Sequence, residues 1–194
     1  MAEKLIGLED LPENFKVELK EEFRLKLFNK AVKKSMGFIK LAKILKIDWS
    51  SLTKIRRGYR LLKNRKSKAY MRIQLLKKLL KLTKTKTKVA EKNIIGLSTN
   101  KMEIYPKLPI FASKELASIM GNTLGDGYVS TQRFKYVNKR KELVMNVREN
   151  IKKVFGIVGR EFYIKEKKCY GIEFPGIVGQ LLIILGAPNG RKTA

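Results

Sequence analysis

The stretch Ser113 to Ser130 reads Ser-Lys-Glu-Leu-Ala-Ser-Ile-Met-Gly-Asn-Thr-Leu-Gly-Asp-Gly-Tyr-Val-Ser, and no other segment limits the possible folds so narrowly. Ser113 suits a helix N-cap, and Glu115 falls in the first turn, where a negative charge meets the positive end of the helix dipole. Leu116, Ile119, Met120 and Thr123–Leu124 recur at three- and four-residue intervals, the apolar rhythm of a helix. Ala117, Gly121 and Gly125 lie four apart and so share one row of the same helix. A glycine inside a helix costs about 1 kcal/mol relative to alanine, so two in one row call for a reason. Close approach of another backbone supplies one. The segment is shorter than a membrane span, which makes a protein helix the expected neighbour. Asp126 comes at the helix end between two glycines, and Tyr128 opens a strand. The predicted geometry projects one carboxylate from a helix terminus beside a tight helix–helix seam. A plainer reading stays open: a glycine-rich C-cap with an exposed Asp in a turn.

Beyond this helix the chain has its own order. Tyr128 to Thr131 and Phe134 to Asn138 are predicted strands separated by Gln132 and Arg133. Lys139 to Phe155 carries a helical apolar pattern (Leu143, Val144, Val147, Ile151, Val154, Phe155) and closes at Gly156. Arg160 to Lys165 and Cys169 to Phe174 alternate as a hairpin around Glu-Lys-Lys. Pro175 then opens a helix through Leu185, stopped by Gly186. The expected order is helix, strand, strand, helix, strand, strand, helix.

With Ile119 to Gly127 (Ile-Met-Gly-Asn-Thr-Leu-Gly-Asp-Gly) at its head, this order resembles one half-unit of the LAGLIDADG homing endonucleases. In that family two such helices pack side by side, and each delivers one acid to a shared divalent-metal site over DNA. The resemblance implies Asp126 as catalytic carboxylate and metal ligand, with Gly125 at the same site. It implies Ala117, Gly121 and Gly125 as the helix-pairing row, and Mg²⁺ or another divalent cation as cofactor. It also implies a concave sheet over double-stranded DNA, from which Ser130, Gln132 and Lys135 could reach bases or phosphates. The family's basic residue near the scissile bond has no assigned counterpart; Lys165, Lys167 and Lys168 lie on a suitable hairpin. Two-motif relatives continue past a segment like Gly186 to Ala194 (Gly-Ala-Pro-Asn-Gly-Arg-Lys-Thr-Ala) into a second motif. Here the expectation is either a homodimer pairing two Asp126 helices or a truncated, inactive remnant.

The N-terminal half has a second informative stretch, Phe38 to Arg60. Leu41, Ala42 and Leu45 mark a short helix, and Ile47-Asp48-Trp49 breaks its period. Asp48 can cap a second helix over residues 50–57, which buries Leu52 and Ile55 and ends at Gly58. Such a pair resembles a helix-turn-helix unit, whose second helix enters the major groove. Its candidate DNA-contacting residues are Ser50, Ser51, Lys54, Arg56 and Arg57. The turn position often held by glycine is Lys46, a departure from that pattern. A generic helical hairpin with a solvated basic face is the competing reading.

Charge decides what surface such a hairpin would present. Between Phe23 and Ala90 there are 23 Lys and Arg against the lone Asp48, a net of +22 (23 − 1). Ordinary helical surfaces mix both signs, because like charges at helical spacing repel. A one-sided excess fits counter-ion release from nucleic-acid phosphates. The whole chain, 194 residues at net +27, shows the same trend. It contains no His, which excludes Ser-His-Asp triads and His-ligated zinc, and its single Cys169 can form no internal disulfide. No charged-then-apolar leader precedes the first elements, so a soluble cytoplasmic protein is expected, and Lys-rich, His-free usage hints at a prokaryotic thermophile.

The predicted class is α+β: an all-α helix-turn-helix-like domain followed by one αββαββα half-unit. Residues 1–20 form an acidic lead-in, 21–90 the basic helical domain, 91–108 a linker and 109–194 the endonuclease-like domain. Residues 61–70 are read as a basic loop, and 82–88, where Thr and Lys alternate, as a phosphate-contacting linker. The competing function is a non-catalytic DNA-binding regulator. RNA is a third candidate partner, made less attractive by the lack of clustered base-stacking aromatics over residues 23–90.

Overall fold

The computed structural model describes residues 3–62, 65–99 and 102–190, as a mixed α+β chain in two units. Residues 11–99 form one; residues 1–10 and 100–194 form the other. In chain order the elements begin with β1 (Lys4–Ile6) and a 3-10 turn at Leu8–Asp10. The unit of residues 11–99 then contains β2 (Lys16–Leu19), α1 (Glu21–Lys34), α2 (Phe38–Leu45) and α3 (Trp49–Arg57). It continues with β3 (Tyr59–Leu62), β4 (Arg65–Lys68), β5 (Met71–Arg72), α4 (Ile73–Thr83), α5 (Thr87–Glu91) and β6 (Ile94–Thr99). The last unit adds β7 (Met102–Ile104), β8 (Ile110–Phe111), α6 (Lys114–Asp126), β9 (Gly127–Val129) and β10 (Arg133–Asn138). Then come α7 (Lys141–Phe155), β11 (Arg160–Ile164), β12 (Cys169–Pro175) and α8 (Gly176–Ile184). No helix among the described residues is long and apolar enough to cross a membrane.

The first of these units is not all-helical. β2 runs antiparallel to both β5 and β6, and its Val17 and Leu19 are buried, as an amphipathic strand requires. Acids open α1 and lysines close it, in the sense the helix dipole favours. Leu27, Phe28 and Ala31 of α1 meet a core built from Leu41, Leu45, Leu52, Ile73, Leu76 and Leu79. Several expectations are corrected here. The acidic lead-in of 1–20 takes part in the fold from residue 4 on, since Ile6, Leu8, Leu11, Phe15, Val17 and Leu19 are buried and β1 pairs with β8. The expected basic loop of 61–70 is largely strand, β3 pairing with β4 in the register Tyr59↔Lys68 to Leu62↔Arg65, and residues 63–64 lie outside the described ones. The Thr/Lys stretch is helical at both ends: Thr83 closes α4 fully buried, its hydroxyl donating to the Leu79 carbonyl at 2.7 Å, and α5 starts at Thr87. Within the expected linker of 91–108, 94–99 and 102–104 are strands.

The other unit keeps the expected element order with boundaries shifted by a residue or two. Its sheet runs β11-β12-β10-β9, all antiparallel. Alternation sends Phe134, Tyr136, Ile172 and Phe174 to the buried face, where the Phe134 and Phe174 rings stack at 5.7 Å. Leu116 and Ile119 of α6, Val147 and Ile151 of α7, and Ile177 and Leu181 of α8 complete that core. The tightest backbone approach lies where α8 meets the β9–β10 turn. A Cβ at Gly179 would stand 2.1 Å from the Ser130 carbonyl, and one at Gly176 2.3 Å from that of Thr131. By contrast, a Cβ at Gly121 or Gly125 would meet nothing within 4 Å. Within one chain, α8 rather than α6 carries the glycine seam.

Candidate functional site

Two sets of residues stand out, one in each unit. In the first, α2 and α3 are joined through Lys46, which is left-handed (φ 54). Glycine often holds this position because that conformation costs it nothing; here a lysine adopts it. Asp48 caps α3, accepting the Ser51 N–H at 2.9 Å and the Ser50 hydroxyl at 2.7 Å. Hydrogen bonds from Ser51, then from Ser50, hold its carboxyl well below the usual carboxylate range. The only acid of this basic region therefore has its charge turned to the helix cap.

The other end of α3 is fixed by Arg24, whose side chain is 11% exposed. Its Nε donates to the Arg56 carbonyl at 3.0 Å, Nη2 to Arg57 at 3.1 Å and Nη1 to Leu19 at 3.3 Å. Gly58, left-handed at φ 79, leaves the room: a Cβ there would stand 2.5 Å from the pinned guanidinium. A cation at a helix C-terminus also complements the dipole. Asp48 at one end and Arg24 at the other thus fasten both ends of α3.

The helical repeat sorts the residues predicted on α3. Leu52 is buried. Ser50, Lys54 and Arg57 are exposed, Ser51 is half-buried, and Trp49 is 63% exposed. Trp49, Thr53 and Arg57 form one outward row, with Ser50 and Lys54 beside it. Arg56 departs from the expectation: its Nη2 donates to Asn29 Oδ1 at 3.0 Å, and its guanidinium lies 5.8 Å from the Phe38 ring centroid. It braces α3 against α1 and α2. Ser51 also turns toward the cap, so neither residue belongs to the outward face. Trp49 does belong to it, although in sequence it reads as a break in the apolar period.

In the second unit, Ser113 caps α6 by accepting the Leu116 N–H at 3.2 Å, as expected. Asp126 ends the helix in an exposed position, and Asn138 Nδ2 donates to its Oδ2 at 3.0 Å. Tyr136, buried, donates to Asn122 Oδ1 at 3.1 Å, and its hydroxyl lies 3.5 Å from the same Asn138 nitrogen. Burial, and then the Asp126 charge, push the Tyr136 hydroxyl pKa up. Ala117, Gly121, Leu124 and Gly125 are all exposed on α6. Of these, Ala117 lines an apolar recess of about 180 Å³ together with Leu5, Leu116, Met120 and Leu185. No cluster of three or more His, Cys, Asp or Glu able to hold a metal occurs among the described residues.

The residues expected on the sheet surface separate. Ser130 serves the β9–β10 turn, its Oγ accepting the N–H groups of Gln132 and Arg133 at 3.3 and 3.2 Å. Gln132 is exposed at the tip of that turn. Lys135 lies on the face opposite the core, its Nζ 4.6 Å from the Phe162 ring centroid. Arg133 shares that face, 3.9 Å from Glu173 and over the Tyr128 ring. No family model matches the chain, and no curated protein matches it either.

Proposed function

We propose that this chain is a DNA-binding protein of the homing-endonuclease type, which hydrolyses phosphodiester bonds in duplex DNA when two copies pair through α6. The observation that carries the DNA-binding part is the outward face of α3, where Trp49, Ser50, Lys54 and Arg57 are exposed in a stretch with one acid. In this reading α2, the Lys46 turn and α3 act as a helix-turn-helix, and α3 enters the major groove. Lys54 and Arg57 meet phosphates or guanine edges, and released counter-ions supply most of the affinity.

The nuclease part is supported by the α6–β9–β10–α7–β11–β12–α8 order and by Asp126 at the end of a helix with an open small-residue row. Pairing two such rows sets two Asp126 carboxylates side by side. They fit a hard divalent cation, Mg²⁺ above all, with the Gly125 carbonyl beside them. Such an ion, when bound, activates water and neutralises the leaving oxygen. The chain's own part is to aim Asp126 through Asn138 and to hold the duplex by its basic side chains.

The test is a pair of proteins. Asp126→Asn should bind duplex DNA as the parent does, with the same salt slope, and should lose Mg²⁺-dependent nicking. Equal nicking by both proteins overturns the nuclease reading and leaves the binding reading standing. The rival reading is a non-catalytic regulator or inactive remnant, in which Asp126 holds no metal. Absence of nicking in a demonstrated dimer would select that rival. A clear preference for structured RNA over duplex DNA at matched salt would overturn both.

A further inference from the structure

Trp49 is the only tryptophan of the chain, and it stands 63% exposed on the first turn of α3. A lone exposed apolar side chain is ordinary and argues nothing by itself. Its surroundings give it meaning. The polar groups beside it are already engaged: the Ser50 hydroxyl donates to Asp48 at 2.7 Å, and the Thr53 hydroxyl donates to the Trp49 carbonyl at 2.8 Å. Arg56 is directed to Asn29 and Phe38. What remains to face a partner is the indole and the cations of Lys54 and Arg57.

We infer that Trp49 is a specificity-determining residue that packs its indole against thymine C5-methyl groups in the major groove of duplex DNA. The inference rests on the proposed DNA-binding role of α3. Charge complementarity fixes the occupant: Lys43, Lys46, Lys54 and Arg57 lie within eight residues of Trp49 in sequence and are exposed, while Asp48 is held in the cap. Of the groups a base pair presents in that groove, the thymine methyl is the apolar one, and apolar side chains read it by contact. Lysine and arginine carry the phosphate attraction, which is indifferent to sequence. An indole adds no charge, so it adds discrimination rather than salt-dependent affinity. Its mounting between the Asp48 cap and the Arg24 clamp lowers the ordering cost of that contact.

A single tryptophan makes the test direct. The full chain is titrated with a fluorophore-labelled duplex enriched by the protein from a random-sequence pool. Anisotropy of the label reports binding while acrylamide quenching reports access to Trp49. At saturation the quenching constant should fall about twofold or more, as expected for a side chain buried in a tightly packed interface. Replacing thymine by uracil in the same duplex removes only the methyl groups. Parent affinity should then fall about fourfold or more, the worth of burying one methyl-sized group. Trp49→Ala should show no thymine–uracil difference and keep the parent's salt slope. Saturated anisotropy with unchanged quenching overturns the inference, and so does equal parent affinity for the two duplexes. Absence of any anisotropy change at low salt is a separate result, the failure of the DNA-binding reading itself.

Discussion

Tyr136 illustrates how one side chain can serve the core and a polar site together. Its ring is buried with Phe134, Ile172 and Phe174, while its hydroxyl donates to Asn122 and lies beside the Asn138 amide that holds Asp126. Tyr136→Phe keeps the ring and leaves Asn122 Oδ1 without that donor, so denaturant unfolding near neutral pH should show a loss of about 1 kcal/mol. The pH dependence has a definite sign. The folded pKa is raised by burial and by Asp126, so the unfolded chain releases this proton first, near the ordinary tyrosine value of about 10. Stability from this group is therefore complete below that pH and declines as pH rises through the folded value. The phenylalanine variant lacks the decline, and the two proteins should converge in stability in alkaline solution. A gap that widens there would contradict the assigned shift.

At the scale of elements, α3 depends on a clamp from outside itself. Arg24, on α1, satisfies the Arg56 and Arg57 carbonyls that the helix end leaves open, together with the Leu19 carbonyl. Hydrogen bonds from charged donors are worth about 1.5–3 kcal/mol. Arg24→Ala should lower unfolding stability by about 2–3 kcal/mol, more than removal of a solvated surface arginine, for which the change is typically within about 0.5 kcal/mol. Arg24→Lys should rescue it only in part, since an ammonium cannot reproduce the planar fork. Full rescue by lysine would show that charge alone is at work. The β3–β4 hairpin leaves directly from this clamp, with the Ala69 N–H donating to the Gly58 carbonyl at 2.9 Å. It places residues 59–68, five Lys or Arg and no acid, immediately after α3 in the chain.

For the whole molecule, the open row on α6 makes a prediction that separates pairing from folding. A Cβ at Gly121 would meet nothing within 4 Å in one chain. Gly121→Leu should fold with unchanged or higher monomer stability, because a helical glycine costs about 1 kcal/mol. The same substitution should abolish pairing if α6 is the seam. Light scattering in high salt, with and without duplex DNA, gives the mass directly. A parent dimer that becomes a monomer on Gly121→Leu supports the seam; a dimer that survives places it elsewhere. A parent that stays monomeric with DNA leaves one Asp126 per complex and favours the inactive reading.

Much of this molecule was legible as sequence because the deciding physics was local. Ser113 and Asp48 cap helices since their oxygens lie within reach of the next turn's N–H groups. Gly58 and Gly156 end helices since both adopt positive φ. The alternation of Phe134–Tyr136 and Ile172–Phe174 predicted two core strands, and the core receives them. Tertiary structure alone decided the rest. Residues 4–6 pair with 110–111 across more than a hundred positions, a choice no neighbouring residue encodes. The 59–68 hairpin hides in a run of lysines and arginines, where strand alternation is masked by charge. Arg56 and Arg57 are adjacent and chemically alike, yet one braces α1 and α2 while the other faces outward. The sequence marked Gly121 and Gly125 for close approach, yet packing leaves them open and closes Gly176 and Gly179 against backbone carbonyls. Periodicity and capping act within a turn or two of chain; which surfaces meet depends on distant segments whose burial is settled jointly.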